Sequence, residues 1–151
     1  MKVALGCDHA GYVLKDVVWA CLESGGHEVI DEGTSSSESC DYPDFAEKVA
    51  LRVAAGDAER GVVICATGIG MSMAANRVRG IRAALCNDLY TARFSRLHND
   101  ANVLALGARV VGAGLAEEIV RTWMETPFEG GRHSRRIDRF GEIEERNGGR
   151  P

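Results

Sequence analysis

The residues best able to do chemistry follow strand-like segments of the chain. Cys65 ends an apolar run, and a turn containing Gly68 and Gly70 separates it from a helical pattern. A strand that leads through a glycine turn into a helix leaves unpaired N–H groups at the helix start, where the helix dipole is positive. Such a turn suits a phosphate group or a developing oxyanion. A thiol at the strand tip lies beside that positive end, which favours the reactive thiolate.

The same turn admits other interpretations. It lacks the Gly-Lys-Ser/Thr sequence of a P-loop, and Gly68 and Gly70 lack the third glycine of a dinucleotide-binding fingerprint. Asp88 nevertheless stands about where the ribose-binding acid of that fingerprint would be. A cysteine in a central strand is also commonly a buried structural residue. The residues alone therefore leave both a reactive and a structural Cys65 open.

Two histidines stand at positions that suit proton transfer or binding. Asp8 and His9 follow the first strand-like segment, where they can form a hydrogen-bonded pair, a helix N-cap or a pair of metal ligands. His98 stands beside Asn99 at the end of a predicted helix, a place for an acid–base residue or for a C-capping histidine. No other His or Cys spacing supports a metal site, so we predict neither a metal nor another cofactor.

Arginines supply candidate anion contacts. Arg109 follows the last predicted strand, while Arg132 and Arg136 stand four residues apart and share one helical face. Two guanidinium groups in that spacing suit a phosphate dianion, although such a charge run also commonly pairs with nearby acids such as those at positions 142, 144 and 145. We expect all of these polar residues, from Asp8 to Arg136, at one edge of a sheet.

Strand and helix patterns alternate along the whole chain and predict the sheet that positions these residues. The five predicted strands are Lys2–Cys7, His27–Asp31, Gly61–Ala66, Ile81–Cys86 and Asn102–Leu106. This alternation predicts a single α/β domain over residues 1–151, with a doubly wound, Rossmann-like parallel sheet of about five strands and helices on both faces. The chemistry of such a domain belongs at the carboxyl ends of the strands.

A last, charged helix is predicted from about Arg132 to Arg146. It carries only a narrow apolar seam, made of Ile137, Phe140 and Ile143. Such a helix packs poorly on its own domain. We therefore predict that residues 130–151 form a C-terminal arm that covers a neighbouring subunit.

Composition excludes several classes of protein. The chain has 151 residues, of which 45% are hydrophobic and 26% charged, a mix typical of a soluble globular domain. Its net charge of −4 argues against a broadly basic nucleic-acid binder. An early acid argues against a signal peptide, and the longest uncharged run, 61–76, is too short for a membrane span. The 5 cysteines form no CxxC pair, which favours a cytoplasmic protein over a secreted disulfide scaffold.

Several longer motifs, in the same order, resemble those of the ribose/galactose isomerase family. That family includes ribose-5-phosphate isomerases of type B and galactose-6-phosphate isomerase subunits. The resemblance covers nearly the whole chain. The motifs are Gly6–Gly11, Asp41–Pro43, Cys65–Ser72, Ala74–Asn76, Gly80–Ala83, His98–Leu104 and Glu129–His133.

The resemblance implies an aldose–ketose isomerase that interconverts ribose 5-phosphate and ribulose 5-phosphate through an enediolate. It implies that Cys65 is the base, that Thr67 assists near the reacting oxygens and that His98 opens the sugar ring. It also implies a homodimer or homotetramer with active sites shared between subunits, and no metal. The substrate-binding residues that it implies are Asp8, His9, Tyr42, Ala66, Thr67, Gly68, Ile69, Gly70, Asn99, Arg109, Arg132 and Arg136, with the arginines around the phosphate.

Two positions depart from the pattern of the family. Ala66 stands where the family usually has glycine, which bears on substrate affinity rather than on the reaction. Another branch uses a glutamate as base at the position of Ile69, which cannot take a proton, so Cys65 is the base that the resemblance leaves in this turn.

The alternatives to a pentose phosphate isomerase are a hexose 6-phosphate isomerase, acting on allose or galactose phosphate, and a non-catalytic partner subunit. A subunit of the latter kind is expected to lack the base or the ring-opening histidine, and this chain has both Cys65 and His98. The expected partner is a small sugar phosphate, with no nucleic acid and no membrane.

Overall fold

Strands and helices alternate along residues 1–148, the part of the chain that the computed structural model describes. The strands are β1 Lys2–Cys7, β2 Glu28–Asp31, β3 Arg60–Cys65, β4 Ala83–Leu85 and β5 Val103–Gly107. The helices are α1 Tyr12–Ser24, α2 Tyr42–Ala55, α3 Ile69–Ala75, α4 Leu89–Asn99, α5 Ala113–Glu125 and α6 Arg132–Arg146. No helix among these residues is long and apolar enough to span a membrane.

The strands form one parallel sheet in the order β2-β1-β3-β5-β4. The most apolar strand, β3, is central, as its continuous run of Val62, Val63 and Ile64 predicts. The chain leaves β1 toward β2 on one side and returns to β3 on the other. Ligands of open α/β sheets bind at the carboxyl ends of the strands beside such a change of direction.

Alternate residues of β3 face two separate cores. Val62 and Ile64 pack with residues of α1 and α5, whereas Val63 and Cys65 pack with residues of α2 and α3. Successive side chains of a strand point to opposite faces, so both layers follow from one apolar run. The predicted doubly wound fold with helices on both faces is confirmed.

The edge strand β4 is shorter than predicted. Arg82 leaves the strand ladder because its N–H donates to the side-chain Oδ1 of Asn102 at 2.8 Å. The strand therefore begins at Ala83 instead of Ile81. Of the other strands, β1 has the predicted bounds, β2 begins one residue later, and β3 and β5 are each shifted by one residue, within the usual uncertainty of strand ends.

The turn between β1 and α1 rests directly on the end of β3. The Asp8 carboxylate accepts hydrogen bonds from the N–H groups of Ala10 and Gly11, at 2.9 and 2.7 Å. The Asp8 N–H donates to the carbonyl oxygen of Ile64 at 3.1 Å. A methyl group on Gly11 would overlap the same carbonyl group. Because Ile64 precedes Cys65, this close approach fixes the backbone that carries the thiol.

Helix α6 lies over the β4 edge and leaves a groove there. His133 is the buried residue of this helix, while Phe140 and Ile143 are 43% exposed. The seam residues and the β4 edge line a groove of about 730 Å³. The predicted helix bounds are confirmed, whereas the arm's contact with a neighbouring subunit stays a prediction. Residues 149–151 of the predicted arm lie outside the described residues.

We predict that Gly11→Ala destabilises the protein by about 2–4 kcal/mol, because its methyl group meets backbone that has no alternative position. Gly114→Ala is the matched control. Gly114 lies in α5 with nothing within 4 Å of an added methyl group, so alanine there leaves stability unchanged or raises it by up to about 1 kcal/mol. Urea unfolding measures both variants, and equal stabilities would contradict the predicted contact.

Candidate active site

The Cys65 thiol ends β3 beside a turn that requires glycine at position 68. Gly68 has φ +77°, and a side chain there would fall 2.9 Å from the Leu106 carbonyl carbon. This conformation directs the Gly68 N–H toward Cys65, and it donates to Sγ with an N···S distance of 3.1 Å. A donor aimed at sulfur stabilises negative charge on it. The structure therefore joins the thiol and the glycine turn as the sequence predicts.

The start of α3 presents further backbone donors beside this thiol. The Ile69 N–H donates to Thr67 Oγ1 at 3.3 Å. Gly70 lies in the first turn, where N–H groups have no intrahelical acceptor. The Tyr42 ring packs so closely on Gly70 that a methyl group there would lie 2.7 Å from ring carbons. Ala66, by contrast, has no positive φ, so its methyl group needs no unusual backbone.

Asp8 and His9 reach the same edge of the sheet but do not pair with each other. Asp8 closes the turn before α1 with its carboxylate, whereas the N-cap of the helix itself is Gly11. His9 Nδ1 accepts a hydrogen bond from the Cys40 N–H at 3.2 Å and lies 3.7 Å from Cys40 Sγ. With Nδ1 acting as an acceptor, the neutral ring carries its proton on Nε2.

Arg109 joins this group through the turn after β5. Its N–H donates to the carbonyl oxygen of Ala66 at 2.9 Å, and its side chain is exposed. The turn is tight because Gly107 packs on Thr67, where a methyl group would lie 2.7 Å from the Thr67 carbonyl. We call one cluster of residues the thiol half-site. It consists of Cys65, the turn Ala66–Gly70, Tyr42, Asp8, His9 and Arg109.

A second cluster forms around His98. Its ring stacks on that of His133, with centroids 4.2 Å apart and planes 11° apart. Glu129 Oε2 lies 3.8 Å from Nε2 of each ring. Arg132 and Arg136 occupy the first turns of α6, in the same helix as His133. We call these residues, with Asn99, the histidine half-site.

The charge around His133 is mainly positive. Burial lowers the pKa of this histidine, and the charges of His98, Arg132 and Arg136 lower it further, while Glu129 raises it. The side chain is 4% exposed. Neutral His133 among two arginines favours an anion at this place.

The acids of α6 do not neutralise these two arginines. Glu142 pairs with Arg139 and Arg146, and the glutamates at 144 and 145 pair with Arg79. Within residues 1–148, no ion pair engages Arg132 or Arg136. The charge run therefore keeps two guanidinium groups available for an anion such as phosphate.

The histidine half-site is poorly arranged for a metal ion. The donor atoms of His98, Glu129 and His133 lie within 4.8 Å of one another. Because the two rings are nearly parallel, an ion in the plane of one lies outside the plane of the other. Imidazole lone pairs lie in the ring plane, so the two nitrogens do not converge on one ion.

The two half-sites lie at opposite ends of the parallel strands, one at the carboxyl ends and the other at the amino ends. The expectation that all of these polar residues lie together is therefore wrong. Cys65 pairs with Gly107 at the carboxyl edge, whereas Val103 begins β5 at the amino edge. Helix α4 runs back between these edges and ends at Asn99, whose carbonyl accepts from Arg82 Nε at 3.1 Å. His98 therefore lies at the amino edge with the first residues of β4 and β5.

The separation is large for one small substrate. At about 3.3 Å per residue, the four steps from Gly61 to Cys65 alone cover about 13 Å. Residues at the end of a strand and at the end of the following helix are on opposite edges of a parallel sheet. The sequence pattern shows where each segment ends but not that strands and helices run in opposite directions, so it does not separate the two ends of the sheet.

Sequence reasoning assigned no role to four residues that contact the candidates. Glu129 and His133 stand four apart, a spacing that could have signalled a shared face. Asp100 follows Asn99 and has a left-handed backbone conformation that the sequence does not predict. Cys40 has no signal at all, since it reaches His9 from a loop distant in the chain.

Comparison with known proteins places this geometry in a family. The model of the ribose/galactose isomerase family matches residues 3–140. The chain belongs to this family. Ribose-5-phosphate isomerase B of Escherichia coli (strain K12) is 52% identical over 145 residues, which cover 96% of this chain and 97% of that protein. The predicted resemblance and the isomerase class are thus confirmed.

Solved structures of the ribose/galactose isomerase family agree with the fold. Ribose-5-phosphate isomerase B of Clostridium thermocellum is 56% identical with a TM-score of 0.95, covering 97% of this chain and 99% of that one. The enzyme of Mycoplasma genitalium, solved with bound ribulose-5-phosphate, is 40% identical with a TM-score of 0.91, covering 95% and 96%. The similarity spans both half-sites.

We predict that acid destabilises the wild-type protein more than its His133→Gln variant. The pKa of His133 in the folded protein is lowered from 6.5, so the unfolded chain binds this proton more readily. Stability from neutral His133 is therefore complete above about pH 6.5 and is lost as the pH falls below it. Thermal unfolding in phosphate-free buffer between pH 7.5 and 5.5 measures the two slopes. Equal slopes would contradict the lowered pKa.

Proposed function

We propose that this chain interconverts ribose 5-phosphate and ribulose 5-phosphate. The observation that carries the proposal is the Gly68 N–H aimed at Cys65 Sγ, in a turn that leads directly into the first turn of α3. A base and oxyanion donors in one turn are what enediolate chemistry requires. The relatives named ribose-5-phosphate isomerase B support this substrate.

In this mechanism the Cys65 thiolate removes the proton from C2 of the open-chain aldose. The electrons of that bond form the enediolate, whose oxygens accept hydrogen bonds from backbone N–H groups of the turn and from Thr67. A proton passes from O2 to O1, the Cys65 thiol gives its proton to C1, and C2 becomes the carbonyl carbon of the ketose, which restores the thiolate. Stabilising the developing oxyanion with fixed donors lowers the barrier to proton removal.

Ring opening must precede this step because ribose 5-phosphate is mainly a cyclic hemiacetal. We assign it to His98, which donates a proton to the ring oxygen while the C1 hydroxyl loses one. The imidazole is about one-third exposed, so it can meet a substrate. Asn99 and His9 are assigned contacts with the sugar, and Arg132 and Arg136 bind the phosphate together with Arg109.

The two half-sites make a complete active site only when two chains meet. We propose a homodimer, or a homotetramer built from it, in which Cys65 of one subunit faces His98 of its partner. The opposite edges of the sheet support this arrangement, because one small substrate cannot reach both within a chain. The groove under α6 supports the proposed arm, since its apolar seam is left partly uncovered.

A reducing, cytoplasmic location fits the thiol chemistry. Every cysteine of the described residues is a free thiol, including Cys65. A thiolate base needs to stay reduced, and reducing compartments maintain thiols. We therefore infer a cytoplasmic enzyme.

The substrate proposal predicts a higher kcat/KM for ribose 5-phosphate than for allose 6-phosphate, measured side by side on one preparation. A preference for the hexose phosphate would replace the substrate and keep the mechanism. Binding of ribose 5-phosphate without any conversion would instead support a non-catalytic partner subunit.

The shared site predicts that two inactive chains restore activity when mixed. One chain carries Cys65→Ala, and the other carries Arg132→Ala with Arg136→Ala. In a mixed dimer, one site receives both its normal cysteine and its normal arginines, while the other loses both. Random pairing makes half of the dimers mixed, so recovery approaches about a quarter of wild-type activity.

Subunit exchange is confirmed first, by refolding the two chains together and separating differently tagged species. Each chain refolded alone is the control and stays inactive. Absence of recovery after proven exchange would mean that each site draws Cys65 and its arginines from one chain.

A further inference from the structure

Asp100, directly after the His98–Asn99 pair, has an unusual backbone. Its φ of 44° is the one positive φ of a non-glycine residue within residues 1–148. It ends α4, and its N–H donates to the Arg96 carbonyl at 3.1 Å. Glycine is the usual residue for such a helix end, because it adopts this conformation without strain. Strained conformations that persist are held by their surroundings and cluster at functional sites.

The Asp100 carboxylate is held by two arginines from different elements. Arg96 Nη1 donates to Oδ1 at 2.8 Å, and Arg82 Nη2 donates to Oδ2 at 3.0 Å. Arg82 also donates to the Asp100 carbonyl at 2.8 Å and to the Asn99 carbonyl at 3.1 Å. Asn99 and Asp100 are thus both hydrogen-bonded to Arg82, which directly precedes β4.

Arg96 connects this clamp to the core. Its side chain is 7% exposed and lies over the Trp123 ring, with the guanidinium carbon 5.6 Å from the ring centroid. It also donates to the Ala101 carbonyl. Trp123 is fully buried, so the clamp has little freedom to shift. A carboxylate shared by two anchored guanidinium groups therefore fixes where α4 ends.

We propose that Asp100 is a positioning residue for ring opening, holding the last turn of α4 so that His98 keeps a fixed place opposite its partner's thiol. This inference rests on the proposed function. A helix end alone needs only glycine or asparagine, whereas the clamp needs a carboxylate with two free oxygens. A misplacement of about 1 Å is enough to lower a rate by about 100-fold.

Two reactions of the same site separate positioning from general damage. Conversion of ribose 5-phosphate needs both ring opening and proton transfer. Ribulose 5-phosphate carries its phosphate on O5 and cannot close a ring there, so exchange of its C1 proton with deuterium from solvent needs Cys65 but no ring opening. The ratio of the two kcat values therefore reports on ring opening alone.

The experiment measures this ratio in Asp100→Asn and Asp100→Gly, both of which tolerate a positive φ. We expect a fall of about 10- to 100-fold in the ratio for both variants, with exchange largely kept. His98→Asn serves as the reference for lost ring opening, and Cys65→Ser for loss of both reactions. Arg82→Gln, which removes one side of the clamp, is expected to lower the ratio in the same direction.

Asp88→Ala is the matched control, because Asp88 caps the opposite end of the same helix. Its Oδ1 accepts from the Thr91 N–H at 2.7 Å. This variant is expected to lower the melting temperature without changing the ratio. An unchanged ratio in Asp100→Gly, or a parallel fall of both reactions, would overturn the inference. Failure of the wild-type protein to convert ribose 5-phosphate would count against the proposed function instead.

Discussion

The parallel pairing of the strands is the constraint on which the rest of this structure depends. Each helix returns the chain from the carboxyl edge of the sheet to its amino edge. Cys65, at a strand end, and His98, at a helix end, are consequently held apart by the length of β3. No side-chain movement within one chain removes that separation. The pairing of the strands is therefore the reason that the active site proposed here, which uses both residues, is assembled between subunits.

The thiol half-site is shaped mainly by backbone. Gly68 turns left-handed, Gly70 lies under the Tyr42 ring and Gly107 packs against Thr67, so three glycines remove the bulk that would close the turn. Backbone donors held in this way need no reorganisation when negative charge develops on a substrate. The same dependence on close approach explains why Asp8 and Gly11 are fixed on the end of β3. The rigid backbone of the turn keeps its N–H donors pointing in a fixed direction.

Periodicity and turn chemistry predicted the strands, the central position of β3 and the glycine turn after Cys65, because these follow from local sequence. His98 lies at the amino ends of the strands because α4 runs in the direction opposite to them. The positions of helix and strand ends in the sequence do not give that direction. The strained φ of Asp100 is held by Arg96 in the same helix and by Arg82, which is 18 residues away in the chain. The contact of Cys40 with His9 depends on a loop without periodicity. Long-range contacts therefore account for what the sequence pattern missed.

The histidine half-site is shaped by charge placed against the core. Arg60 and Arg96 both lie over the Trp123 ring, at 5.3 and 5.6 Å. Burial and the neighbouring Arg96 together lower the pKa of Arg60 to about 10, although the charges of Asp100 and Glu59 act in the opposite direction. Asp100 supplies a counter-charge to the two like charges beside this indole, and Arg60 also donates to the carbonyls of Trp123 and Met124. The residue that ends α4 thus also balances the buried arginines. Loss of its charge would disturb the core and the position of His98 together, which joins the stability of this edge to its chemistry.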